Sequence, residues 1–247
     1  MTRQAPAEIQ AYYRDHDVVA HYLARRTTQP LNGTLHAAQV RFLRRVVAER
    51  RPRRVVEIAP GPARLTAEVH LGGTGVAVEF SEGMLAAAVA RIGEGSSWQL
   101  VRGDAFRLPI AAHRADLVYA LRFVRRFQLQ ERQQLYAEMR RILRPGGALV
   151  LDAQSRAVAL PHRQAKGLDR YPVYDALYSR NELVSELTAA GFRVRRMAGI
   201  IKHFNVQKRL NRLRRLGLHG LARGLIQALD VVPSRSPSTW MVLSEVA

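Results

Sequence analysis

Arg54-Val55-Val56-Glu57-Ile58-Ala59-Pro60-Gly61-Pro62-Ala63 is the stretch on which the reading of the chain turns. A short β-branched run is cut off by a turn of small residues, and Leu65-Thr66-Ala67-Glu68-Val69 follows it as the start of a helix. Small residues between strand and helix let a ligand approach the backbone closely, while a helix start offers free N–H groups. A plain tight strand-to-helix turn accounts for the same residues. The dinucleotide fingerprint G-x-G-x-x-G is not met, because its first and last glycines are absent.

The pattern repeats downstream. Gly75-Val76-Ala77-Val78-Glu79-Phe80 is a second strand, and Ser81 caps a helix through Met84, Leu85 and Val89. Trp98-Gln99-Leu100-Val101-Arg102 is a third strand, ended by Gly103-Asp104, and Asp116-Leu117-Val118-Tyr119-Ala120 is a fourth. A helix from about Gln130 to Leu143 is stopped by Pro145-Gly146-Gly147 and leads into the strand Ala148-Leu149-Val150-Leu151. Apolar strands alternating with helices predict an α/β fold, a doubly wound, mostly parallel sheet with helices on both faces. Right-handed crossovers place these strand ends on one edge, where open α/β sheets bind ligands.

The flanks are less regular. Upstream, residues 12–26 carry helical spacing, residues 29–33 break it, and Thr34 is a plausible N-cap for a helix through Val47 that Pro52 ends. Residues 153–178 show little periodicity and hold Pro161, Gly167 and Pro172, which reads as an insertion or lid. Ser179 caps a helix through Leu183 and Leu187, Phe192-Arg193-Val194-Arg195 is a strand, and Thr239-Trp240-Met241-Val242-Leu243 is the last. Between them, residues 202–230 are basic and mostly helical.

Composition narrows the classes. With 247 residues, 47% apolar and 24% charged, wholesale disorder is excluded. The absence of cysteine excludes disulfides, thiolate metal sites and a cysteine nucleophile, and no metal-ligand spacing is visible, so no metal is expected. No run of 18 apolar residues and no signal-like N-terminus occurs, so a soluble cytoplasmic protein is expected. The net charge of +19 admits a nucleic-acid footprint, yet only Lys166, Lys202 and Lys208 are lysines, and dispersed arginine on a solvated surface explains it equally.

Each strand end carries a group suited to one part of a nucleoside. Glu79 can accept both hydroxyls of a ribose, since a carboxylate matches a vicinal diol. Asp104 can accept from the exocyclic amine of an adenine while Phe106 covers the ring. An exposed loop acid and a helix-capping aspartate are the alternatives. Leu121-Arg122-Phe123 then follows the fourth strand, where a wall beneath a ligand would lie.

Taken in order, these residues resemble the class I S-adenosylmethionine-dependent methyltransferases, in the small-molecule branch that includes ubiquinone/menaquinone-type enzymes. The residues that carry the likeness are the loop from Glu57 to Ala63, the segment from Glu79 to Leu85, Gly103-Asp104-Ala105, Asp116-Leu117-Val118 and Arg141-Ile142-Leu143-Arg144-Pro145-Gly146-Gly147. The resemblance implies a Rossmann-like, seven-stranded sheet at 51–247, an N-terminal helical lid at 1–50, S-adenosylmethionine as cofactor, and methyl transfer to a small, hydrophobic or acidic acceptor. It implies that Glu57, Ala59, Pro60, Gly61 and Ala63 form the loop around the methionine end, with Glu79 on the ribose. Phe80, Met84, Asp104, Ala105, Phe106 and Leu121 then surround the base and its neighbours. Tyr13, Tyr22 and Arg25 become lid candidates, and Arg122 and Arg126 acceptor candidates, although Arg125 and Arg126 are also read as facing solvent. Two loop glycines of the family are Ala59 and Ala63 here; a methyl group there is tolerated where φ is negative and costs about 1 kcal/mol or more where φ is positive. RNA or protein methylation and a non-catalytic binding module are the competing readings.

No general base stands out: His16, His21, His113 and His162 are available, each equally a surface residue. In the segment Lys202 to Leu225, leucines at 210, 213 and 216 alternate with arginines. That basic amphipathic pattern is read as a helix packed on the sheet, a peripheral membrane contact or a nucleic-acid contact.

Overall fold

A computed structural model describes residues 29–93, 95–171 and 173–247, with Glu8 and Ala11 besides. Five parallel strands form the centre of the sheet: β1 (Arg54–Ile58), β2 (Thr74–Glu79), β3 (Trp98–Arg102), β4 (Ala115–Ala120) and β5 (Leu143–Ser155). The two-residue β6 (Leu177–Tyr178) pairs with the far end of β5. β7 (Phe192–Ile200) is reached across β8 (Thr239–Val246), which runs antiparallel to both β5 and β7. The order is β3-β2-β1-β4-β5-β8-β7, so the expected seven strands lie on one path and β6 adds an eighth beside it. Chain direction across the sheet reverses between β1 and β4, which opens a crevice beyond their carboxyl ends.

Alternation along the strands divides the core into two layers. Val56, Ile58, Val118, Leu149 and Leu151 face one side, against Leu135, Tyr136, Met139 and Ile142 of α3 (Leu129–Ile142) and Leu183 and Leu187 of α5 (Arg180–Ala189). Val55, Leu117, Tyr119, Val150 and Met241 face the other, against Phe42, Leu43 and Val46 of α1 (Pro30–Arg50). α2 (Glu82–Ile92) packs beside β2 and β3, and α7 (His219–Val231) lies on the outside of α1. α4 (Arg156–Gln164) and α6 (Phe204–Leu210) complete the helices among the described residues.

Both serine caps form as expected. Ser81 accepts from the Met84 N–H, and Ser179 and Glu182 make a reciprocal capping box at the start of α5. Elsewhere the structure departs from the sequence-based expectations. α1 begins at Pro30, whose missing N–H is no loss in a first turn, so Thr34 sits inside the helix and its hydroxyl donates to the Pro30 carbonyl at 3.0 Å. The helix expected after Ala63 shrinks to a three-residue 3₁₀ turn, Thr66–Glu68, so no α-helix N-terminus faces the loop. β5 starts at Leu143 and runs through Pro145-Gly146-Gly147, Gly146 taking a φ of +70°.

The expected insertion at 153–178 is largely structured. β5 extends to Ser155, α4 follows with Pro161 inside it, and Tyr178 of β6 donates to Glu186, which also binds Arg132 and Tyr136. Of the expected N-terminal lid, Tyr13, Tyr22, Arg25, His16 and His21 lie outside the described residues. The part that is described, α1, is a core helix, because its apolar face covers the sheet. Among the described residues no helix is long and apolar enough to cross a membrane, and no cluster of His, Asp and Glu fits a metal ion.

Candidate active site

The crevice at the carboxyl ends of β1, β2, β3 and β4 is a cavity of about 820 Å³ counting the open space at its mouth. Of the residues expected around a nucleoside, Ala59, Gly61, Glu79, Phe80, Met84, Asp104, Ala105, Phe106 and Leu121 line it. Arg122 and Arg126, the acceptor candidates, line it too. Glu57, Pro60 and Ala63 do not.

Glu79 holds the cavity's shape. It ends β2 and is 7% exposed; one carboxylate oxygen accepts the Gly61 N–H and the other the Ser81 N–H, both at 2.9 Å. Burial pushes its pKa up, against the backbone donors of Ser81, Gly61 and Phe80 that favour the charged form. Both oxygens face backbone donors and keep spare lone pairs for a diol, so the loop after β1 and the start of α2 are tied to the group expected to meet the ribose. Asp104 sits across from it, its Oδ1 accepting the Phe106 N–H at 2.9 Å. Gly103 has no room for a side chain: a Cβ would lie 2.8 Å from Val78 and 3.0 Å from Pro109.

The loop after β1 is left-handed at three alternate residues. Ala59, Gly61 and Ala63 have φ of +54°, +58° and +54°. Glycine adopts this region freely, whereas each alanine crowds its Cβ against the backbone at a cost of about 1–2 kcal/mol. The methyl groups at 59 and 63 are therefore strained, in a turn that Pro60 and Pro62 stiffen between them.

Glu57 faces away from the cavity. Strand alternation turns it into the α1 side of the sheet, where it is 3% exposed. One of its oxygens accepts the Thr66 hydroxyl at 2.6 Å and the Tyr119 hydroxyl at 2.7 Å. Burial pushes its pKa up to about 7, despite those two donors and the Arg64 charge. Glu57 thus fastens the end of the loop, through Thr66, to β4.

The wall after β4 holds the residues that sequence reasoning placed least well. Arg122 takes a φ of +64°, with its N–H donated to Asp152 of β5. Arg125 and Arg126, read as solvent-facing, are 4% and 8% exposed. They are buried because Asp175 lies 3.7 Å from Arg125 and 3.0 Å from Arg126, with Arg163 of α4 at 2.6 Å and Asp152 4.0 Å from Arg125. Burial alone would raise the Asp175 pKa; Arg125, Arg126 and Arg163 outweigh it and hold the carboxyl below its usual range. Three arginine side chains, Arg125, Arg126 and Arg163, face two aspartates here, so the cluster is net positive behind the cavity wall. Phe127, one helical turn beyond Phe123, was not anticipated. It meets Phe123 and Phe106 edge-on, with ring centroids 5.0 and 5.2 Å away, and all three line the cavity.

None of the described histidines lines the cavity. His113 lies at the opposite, amino edge of the sheet, within 3.1 Å of the Leu143 carbonyl, and His162 packs on Phe204 and Lys208 of α6.

Two outcomes follow from this geometry. Replacing Ala59 with Gly is expected to raise the unfolding free energy in urea by about 0.5–1 kcal/mol, relief of strain exceeding the added chain entropy. Ala137→Gly on the exposed face of α3 is expected to lower it by about 1 kcal/mol, and equal losses at both sites would contradict the strain assignment. Glu57 has a folded-state pKa above its unfolded value, so its contribution is fully present below about pH 4.5 and lost as pH rises through 7. Wild type is therefore expected to lose about 2–3 kcal/mol more stability than Glu57→Gln between pH 5 and pH 8. Parallel pH profiles would contradict it.

A family profile described as a methyltransferase domain matches residues 56–151. The malonyl-(acyl-carrier protein) O-methyltransferase of Methylococcus capsulatus is 30% identical over 205 residues, which span 74% of this chain and 72% of that protein. The demethylmenaquinone methyltransferase of Mycolicibacterium paratuberculosis is 40% identical over 102 residues, 40% of each chain. Among solved structures, the magnesium protoporphyrin IX methyltransferase of Synechocystis PCC 6803, with bound SAH, has a TM-score of 0.70 at 11% identity, covering 98% of this chain and 100% of that one, a likeness of fold. With the cavity at the strand switch and its paired acids, these relationships establish that the chain belongs to the class I S-adenosylmethionine-dependent methyltransferases and that S-adenosylmethionine is its cofactor.

Proposed function

We propose that the chain methylates a small-molecule acceptor that carries an anionic group and an apolar body, seated against the wall from Leu121 to Phe127. The observation that carries this reading is the net-positive arginine cluster behind an aromatic cavity wall. When bound, S-adenosylmethionine would supply a methyl group on a sulfonium: the acceptor lone pair bonds to that carbon in line as the carbon–sulfur bond breaks, and neutral S-adenosylhomocysteine leaves. The residues present fit that cofactor: Glu79 suits the ribose, Asp104 an adenine amine, Phe80 and Phe106 the faces of the base, and the Gly61 backbone leaves the open approach that the methionine end needs.

The chain's own work is alignment and exclusion of water. Phe123 and Phe127 offer apolar surface to the acceptor body, while Arg122 and Arg126 attract its anionic end. Arginine suits that task because its planar donors match a carboxylate or phosphate. With no described histidine at the cavity, an acceptor that already presents a lone pair in neutral solution suits the site best. The acceptors named for the relatives, malonyl-(acyl-carrier protein) and demethylmenaquinone, support a metabolite-type substrate over a nucleic acid.

Two measurements test this. Titration calorimetry of Glu79→Ala with S-adenosylmethionine is expected to show binding weaker by about 1–3 kcal/mol, and an unchanged dissociation constant would remove Glu79 from the cofactor site. For the acceptor end, Arg122→Gln is expected to lower kcat/KM about tenfold or more on a carboxylate acceptor while sparing its neutral ester and cofactor affinity. Equal losses on acid and ester would contradict an anion subsite.

A further inference from the structure

The connection from β7 to β8 leaves the sheet at Ile200 and returns at Thr239, both at the carboxyl edge where the cavity opens. Within it lie α6, the turn Asn211–Leu216 and α7. The inner stripe of α7, Ala222 and Ile226, is buried. The neighbouring stripe, Leu218, Leu221 and Leu225, is not: these leucines are 44%, 55% and 40% exposed, and Leu216 just before them is 73% exposed. Spacings of three and four residues put Leu218, Leu221 and Leu225 on one face of the helix. Val231 and Val232 carry the exposed apolar surface past its end.

Charge surrounds this stripe in one sign. From Lys202 to Val232 the sequence has seven Lys and Arg residues and a single acid, Asp230. That acid is engaged internally, accepting the Lys202 N–H at 2.8 Å and the Gln207 amide at 3.3 Å. Arg209, Arg212, Arg215 and Arg223 are exposed around the leucines.

We propose that residues 209–232 seat the protein on the surface of an anionic lipid bilayer. Exposed leucines gain by entering the acyl boundary, and flanking arginines reach back to the headgroups along their apolar stems. Anionic headgroups supply the charge that the patch lacks. A second copy of the chain would bring the same cations into opposition across a symmetric contact. A nucleic acid would neutralise the arginines but leave the leucine stripe in water. The inference stands on this surface and does not depend on the acceptor proposed above.

Sedimentation of the full chain with sucrose-loaded vesicles tests it. Vesicles with about 30% phosphatidylglycerol in phosphatidylcholine are expected to bind the protein, pure phosphatidylcholine to bind it about tenfold less, and about 0.5 M salt to release it. The pair Leu221→Ser/Leu225→Ser and the pair Arg212→Gln/Arg215→Gln are each expected to weaken binding about tenfold, with thermal melting followed by circular dichroism showing that both remain folded. Equal binding to neutral and anionic vesicles, or retention of binding by the leucine pair, would overturn the proposal. So would light scattering that shows a dimer which the leucine pair dissociates, or binding to a single-stranded RNA oligonucleotide but not to vesicles.

Discussion

A buried carboxylate at the end of β2 sets the geometry of everything around it. Glu79 loses most of its water and recovers part of the loss from backbone N–H groups on two different loops, Gly61 after β1 and Ser81 before α2. A buried charge is tolerated only where such donors are arrayed around it, so the two loops are held where the carboxylate needs them. The cavity between β1, β2 and β3 is the space that this arrangement leaves. On the proposed reading, a ribose diol arriving there would meet an acceptor already oriented by the protein, with little reorganisation left to be done on binding.

The loop after β1 shows what that arrangement costs. Its left-handed residues at 59, 61 and 63 bring the backbone close to the cavity, and two of the three are alanines. The strain persists because the surroundings determine the conformation: Glu79 fixes Gly61, and Glu57 fixes Thr66 at the loop's far end through its contact with Tyr119. Pro60 and Pro62 lower the entropy of the unfolded loop and so offset part of that strain. Two acids with similar places in the sequence thereby do different work, Glu79 at the cavity and Glu57 beneath it.

Much of this was legible in the sequence wherever the signal was local. Short apolar runs alternating with helical segments marked β1 to β4, Ser81 and Ser179 marked helix starts, and the small residues from Ala59 to Ala63 marked the loop. What escaped depends on distant partners. Arg125 and Arg126 look like surface cations until Asp175 is placed beside them, and Asp175 lies in a stretch with no periodicity. The inward turn of Glu57 follows from which face of β1 meets α1, a property of sheet packing rather than of residues 54–63. Thr34 looks like a cap because Pro30 resembles a break, whereas a proline in the first helical turn is a start. Phe127 had one available signal, its four-residue spacing from Phe123 across a turn that binds both rings to one wall.

The proposed site places the nucleoside between Glu79 and Asp104. A crystal structure of the chain grown with S-adenosylhomocysteine tests that most directly. The ribose is expected within hydrogen-bonding distance of Glu79, the adenine between Phe80 and Phe106 with its amine toward Asp104, and the sulfur facing the wall that Arg122 and Phe123 form. Density for the ligand elsewhere on the molecule, or a ribose turned away from Glu79, would contradict it.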